Sequence, residues 1–167
     1  ELDGGLVING HKVSKSNYDR KTNEFKYSTT TVNQGGARFY TLTIDSKVLS
    51  ETCYVSDRDE DPEEGFQRVV DFNKVQEIAR YVETIGGAIP TSIIISAQTE
   101  HVKIDRNKTL RFKNVRNAFM IIDGQHRVYG YKLAETNCRV PVVVYVGLTK
   151  QEEAKLFIDI NTKQTPI

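Results

Sequence analysis

Phe119-Met120-Ile121-Ile122-Asp123-Gly124-Gln125-His126-Arg127 is the stretch on which the fold turns. Four consecutive apolar residues mark a strand covered on both faces. Tyr131, Leu133 and Ala134 beyond them continue as a short helix, so the five polar residues sit at a strand-to-helix turn. Downstream, Val140 to Val146 reads as a second buried strand, with Pro141 near its start where a missing N–H is tolerated. Thr149 and Glu152 form a capping box for a last helix that turns Ala154, Phe157 and Ile158 inward, and Asn161-Thr162-Lys163-Gln164 follows it.

Upstream of the turn, Val102 and Ile104, then Leu110 and Phe112, bracket Asp105-Arg106-Asn107-Lys108 as a hairpin. Ile93 to Ile95 reads as a buried strand after Ile89-Pro90. Val75, Ile78, Ala79, Val82 and Ile85 recur at the spacing of one helical face; Asn73 and Gln76 are placed to cap that helix and Gly86-Gly87 to end it. Tyr40, Leu42 and Ile44 alternate as a strand within Arg38 to Ile44. Asp57 to Gly65 is an exposed acidic loop that lacks the spaced oxygen ligands of a calcium loop. The first thirty-five residues, polar and without a sustained period, read as a loose arm or an irregular antiparallel lead-in.

The composition, 38% apolar and 27% charged over 167 residues, carries too much core material for a disordered segment and too much charge for a membrane protein. No run of 18 apolar residues and no signal-peptide pattern occurs, so a cytoplasmic protein without a membrane partner is expected. Cys53 and Cys138 show no CxxC spacing, and His11, His101 and His126 form no HExxH or close pair, so no metal site is read. Glu1 at one end and Thr165-Pro166-Ile167 at the other are expected to bound a piece of a longer chain.

The net charge of +1 hides a division. Residues 51–83 hold ten acids and four bases, while residues 101–139 hold nine bases and three acids. A basic half beside an acidic half suggests a surface that faces a polyanion, and equally suits a solvated face neutralised by its neighbours. Alternation in the hairpin turns Lys103, Arg111 and Lys113 to the side opposite its apolar residues and leaves Arg106 and Lys108 at the tip, a cationic stripe suited to a DNA backbone.

A glycine between a buried strand and a helix lets backbone N–H groups approach a ligand closely, and the helix start adds partial positive charge, which together suit a phosphate. Arg127 adds a fork of donors matched to phosphate oxygens. His126 could move a proton near neutral pH, and Asp123 could orient water or hold magnesium. The same residues also read as a turn glycine, a helix cap, a structural histidine and a surface cation. The polar residues at other helix ends, Gln67 and Arg68 before the long helix and Asn161 and Gln164 after the last one, read as caps or as groups converging on one ligand.

Asp123-Gly124-Gln125-His126-Arg127 resembles the signature of the DGQHR-domain family, the group that includes the DndB proteins of DNA sulfur modification. The order from Gln67-Arg68 through the helix ending at Gly87, the Pro90 to Ser96 segment, the turn, the Val140 to Val146 strand and the last helix is also similar to the ParB/sulfiredoxin-like superfamily. The resemblance implies an α/β (α+β) fold with a mixed sheet and flanking helices. It covers residues 65–167, preceded by an N-terminal arm and β-rich lead-in over 1–64. It further implies that Gly124, Gln125, His126 and Arg127 cradle nucleotide phosphates, with Gln67, Arg68, Asn161 and Gln164 contributing. The sulfiredoxin-type cysteine is missing, since Cys138 falls after the helix, which argues against a sulfinic-acid reductase.

By this resemblance the chain is expected to be a DNA-binding regulator in a phosphorothioate-modification system. Its cofactor would be a nucleoside triphosphate, ATP or CTP, accompanied by Mg2+. Its partners would be DNA, other DNA-modification proteins and further copies of itself. The alternatives are an NTP-hydrolysing or DNA-nicking enzyme that activates water through Asp123 or His126, and an interaction module of a DNA-defence complex.

Overall fold

The computed structural model describes residues 5–56 and 70–163, and of residues 162 and 163 the backbone alone. The acidic loop, Gln67, Arg68 and Gln164 lie outside the described residues.

The apolar run forms strand β11, Phe119–Asp123, with its first four residues buried. It pairs antiparallel with β8, Ile93–Ala97, and parallel with the two-residue β7, Cys53–Tyr54. On the other side of β8 runs β12, Arg139–Val146, parallel to it in the register Val142 to Ile93 and Val144 to Ile95. β12 pairs antiparallel with β6, Ala37–Asp45, and β6 with β5, Thr30–Gln34. The result is a mixed six-stranded sheet in the order β5-β6-β12-β8-β11-β7, an α+β architecture as expected. Its central strands are rich in Ile and Val because both faces are covered.

A second sheet, in the order β3-β4-β10-β9, joins β3 (Tyr18–Asp19), β4 (Glu24–Ser28), β10 (Thr109–Lys113) and β9 (Val102–Ile104). β9 and β10 are the expected hairpin, with Leu110 opposite Ile104 and Phe112 opposite Val102. β4 extends it with Tyr27 and Phe25 opposite the same two β10 residues. One face is therefore aromatic and buried. Phe112 stacks its ring centroid 5.4 Å from Phe25 and 4.8 Å edge-on from Phe119, which welds this sheet to β11. Tyr27 adds a polar clamp: its hydroxyl donates to Asp45 Oδ2 at 2.7 Å, and Arg139 lies over its ring. Pairing of β4 with β10 and of β6 with β12 brings residues from both sides of the 64/65 boundary into one core. The N-terminal lead-in is strand-rich, opening with the hairpin of β1 (Leu6–Ile8) and β2 (His11–Val13).

Among the described residues four helices flank the sheets: α1 (Ser46–Thr52), α2 (Phe72–Glu83), α3 (Gln125–Leu133) and α4 (Lys150–Lys163). α2 packs on α3 at Gly130, where an added Cβ would stand 2.5 Å from Ile78 Cγ2, so only glycine permits the approach. α1 holds the other end of α3: Lys47, 3% exposed, donates its ammonium protons to the Tyr131 and Ala134 carbonyls that the helix leaves unsatisfied. Burial pushes the Lys47 ammonium below its ordinary pKa. α4 starts in the expected capping box, with Thr149 N–H donating to Glu152 Oε1 at 2.8 Å and Glu152 N–H to Thr149 Oγ1 at 3.1 Å. The buried Glu153 then accepts from Ser96 Oγ and Gln98 Nε2, pinning α4 to the end of β8.

Several local expectations are corrected. α2 begins at Phe72, so Asn73 is inside it. Its cap is Asp71, whose extended backbone lets the side chain accept from Asn73 N–H at 2.9 Å. Ile85 is 67% exposed because the helix ends at Glu83 and Gly86 turns the chain away. Leu133 and Ile158 point outward, while Tyr131, Ala134 and Glu153 take the inner positions. Asn161 lies within α4 rather than after it, its side-chain amide donating to Phe157 O at 2.7 Å. Among the described residues no helix is long and apolar enough to cross a membrane.

Candidate functional site

β11 loses register with β8 between Ile121 and Asp123: Ile122 is left without a partner, and Asp123 pairs with Ile94 just before the chain leaves the sheet. Gly124 then adopts φ 110°, ψ 24°, a left-handed conformation that strains any residue with a Cβ. An added Cβ there would also stand 3.1 Å from both Arg127 Nη2 and Ile93 Cγ1. Gly124 occupies the N-cap position of α3, so no side chain caps the first N–H groups of that helix.

Three segments meet at this turn. Asp71 N–H, at the start of α2, donates to His126 Nε2 at 3.0 Å, which brings the positive ends of α2 and α3 together. Arg127 reaches the segment before β8, where Nη1 donates to Thr91 O at 2.7 Å and Oγ1 at 3.0 Å. Its Nη2 lies 3.5 Å from Asp123 Oδ2, and both side chains are mostly buried. Because the guanidinium and the carboxylate neutralise each other, anion-binding capacity here rests on N–H donors and helix ends rather than net charge. Gln125 supplies another donor: it is 5% exposed and its Nε2 has no hydrogen-bond partner among the described residues. A buried amide left so costs about 1–3 kcal/mol until an acceptor reaches it.

Asp123, Gly124, Gln125, His126 and Arg127 are thus brought together. Asn161 turns its amide back onto its own helix. Asp71 and Thr91 were not among the expected site residues. Asp71 was legible as a cap one residue before an amphipathic helix; Thr91, after Pro90 in a turn, carried no signal. Among the described residues no three His, Cys, Asp or Glu side chains stand close enough to hold a metal ion.

The outer face of the small sheet is a second charged surface. Lys26, Arg111 and Lys103 are in register across β4, β10 and β9, and Lys113 stands two residues beyond Arg111 on the same face. Lys103, Arg106, Lys108 and Lys113 are exposed. Arg111 is not a free cation: its guanidinium lies 3.3 Å from Asp105 Oδ2 and 3.9 Å from Glu24 Oε1. Asp105 braces the hairpin tip, accepting from Asn107 N–H at 2.9 Å and Thr109 N–H at 3.0 Å beside the left-handed Lys108. The bond from Thr109 is the main reason its carboxyl lies below the usual range. Lys26 escaped the sequence reading because it lies on a strand far from the basic segment.

A family model described as DndB, DNA-sulfur modification-associated, matches residues 27–167, from within β4 to beyond α4 and across the whole turn. No curated protein matches the chain.

Proposed function

Since the chain belongs to the DndB family of DNA-sulfur-modification-associated proteins, we propose that it is a DNA-binding regulator of a phosphorothioate-modification system that holds a nucleoside triphosphate at the Asp123–Arg127 turn. One observation carries the reading. At Gly124 the chain leaves a buried strand in the left-handed conformation, directly before α3 and within reach of the start of α2 through His126, with the buried, unpartnered amide of Gln125 on the next residue. N–H groups converging at helix starts, freed of a capping side chain, suit phosphate oxygens. Mg2+ would enter with the triphosphate, whose oxygens supply most of its ligands.

Arg127 acts in this reading as a brace that holds Thr91 and Asp123 in place and exchanges part of that bonding for a phosphate oxygen. The order of strands and helices around the turn supports a ParB-like reading of the fold. DNA would lie along the outer face of β4, β10 and β9, where Lys26, Lys103 and Lys113 answer its phosphates.

The test is a titration of each nucleoside triphosphate, with and without Mg2+, followed by a product assay. The proposal expects at least one triphosphate to bind and Arg127→Ala to weaken it. Binding with turnover would convert the reading to an NTP-hydrolysing enzyme, and no binding of any triphosphate would refute it.

A further inference from the structure

A second concave site lies on α3 away from the α2 contact. It is a cleft of about 650 Å³ between the end of α1, β7, the loop before β11 and α3, lined among others by Glu51, Tyr54, Arg116, Asn117, Tyr129 and Lys132. Its volume falls in the range of ligand pockets, about 300–1,000 Å³. Helical spacing separates it from the turn. His126 and Gly130 face α2, whereas Val128, Tyr129 and Lys132 face the cleft.

The chemistry of the lining narrows the ligand. Tyr129 offers a π face, and Arg116 and Lys132 are exposed cations held in no ion pair among the described residues. The Asn117 amide and the Glu51 carboxylate supply both donor and acceptors for a heteroaromatic edge. Cys53 also lines the cleft, but burial pushes its thiol up to about 12, which removes it as a nucleophile. A purely apolar ligand would leave the charged groups unanswered, and an inorganic anion would leave the Tyr129 ring unused. An aromatic anion uses both.

We propose that the cleft framed by Tyr54, Tyr129, Arg116 and Lys132 binds a single nucleotide unit, its base against the Tyr129 ring and its phosphate against the cations. A paired base cannot enter a concave site of this kind, so the unit comes either from an unpaired DNA base or from a free nucleotide. The inference is independent of the turn, and its variants leave the turn intact.

The test is fluorescence anisotropy of the full chain with labelled oligothymidylate, and competition by ATP, for Tyr129→Ala, Tyr129→Phe and the double variant Arg116→Glu/Lys132→Glu. Loss of a base-stacking ring should lower affinity about tenfold or more in Tyr129→Ala, with Tyr129→Phe retaining it. The double variant should weaken binding and make the salt slope shallower by about 0.7, the share of one phosphate contact on a single strand. Loss confined to oligothymidylate assigns the cleft to an unpaired base. Loss confined to ATP, with Arg127→Ala unaffected in the same competition, assigns it to a free nucleotide. Wild-type affinity for both probes in both Tyr129→Ala and the double variant would overturn the proposal.

Discussion

His126 accepts a hydrogen bond at 3.0 Å from the backbone N–H of Asp71, so the first residue ahead of α2 is tied to the second residue of α3. The imidazole thereby has a positioning duty that does not depend on proton transfer. His126→Ala should remove about 0.5–1.5 kcal/mol of stability and speed hydrogen exchange at the Asp71 amide. If the domain hydrolyses a triphosphate and His126 moves the proton, turnover should also fall about 10²–10⁴-fold. Unchanged exchange at Asp71 would show that the bond contributes nothing in solution.

Arg127 and Asp123 should respond with opposite signs. Arg127→Ala removes the bonds to Thr91 and leaves the Asp123 carboxylate unneutralised at the turn, so triphosphate affinity should fall about tenfold or more. Asp123→Asn frees Nη2 and removes a negative charge, and should tighten binding. Calorimetric titration of both variants decides the matter; equal weakening would mean that the carboxylate acts on the ligand through a metal rather than against it.

The outer face of the small sheet gives a salt-dependent signature. Lys103→Glu with Lys113→Glu changes two exposed cations and spares Arg111, whose pairs with Glu24 and Asp105 hold the strands together. DNA affinity should drop at every sequence, with the slope of log affinity against log salt shallower by about two. An unchanged slope in a folded variant would make this face merely solvated.

Asp105 predicts a pH window. Its carboxyl lies below its ordinary pKa in the folded chain, chiefly through the Thr109 N–H bond, so folding favours the ionised form. The contribution is fully present above the unfolded value, about 3.9, and is lost as pH falls through the folded one. Asp105→Asn should therefore melt lower than wild type at pH 7, and the two melting temperatures should converge in acid, as pH falls through the folded pKa. A gap that persists in acid would assign the effect to shape rather than charge.

The periodic elements were legible in the sequence: α2, the Val102–Phe112 hairpin, β11 with its glycine turn, β12 and the Thr149–Glu152 box each follow from local pattern. What escaped depends on long-range packing. α1 is only seven residues long, and its Lys47 is buried because two carbonyls at the end of α3 await it, a partnership no local period reveals. Arg111 looked like a free cation, but the hairpin folds it onto Asp105 and β4 brings Glu24 beside it. At the turn the residue types were readable, but the engagement of His126 with Asp71 required the α2–α3 packing that Gly130 allows, and that of Arg127 with Thr91 required the segment before β8 to lie beside α3.

The central claim is that the Asp123–Arg127 turn receives the phosphates of a nucleotide, and amide chemical shifts test it most directly. In a ¹⁵N-labelled chain titrated with the triphosphate that binds best, the account predicts the largest shifts at the backbone amides of Gly124, Gln125 and His126 and at the side-chain amide of Gln125. It also predicts their loss in Gly124→Ala, where a Cβ would meet Arg127 and Ile93 at a strained φ. Saturable binding that leaves those amides unmoved, with shifts confined to Tyr54, Tyr129 and their neighbours, would contradict it.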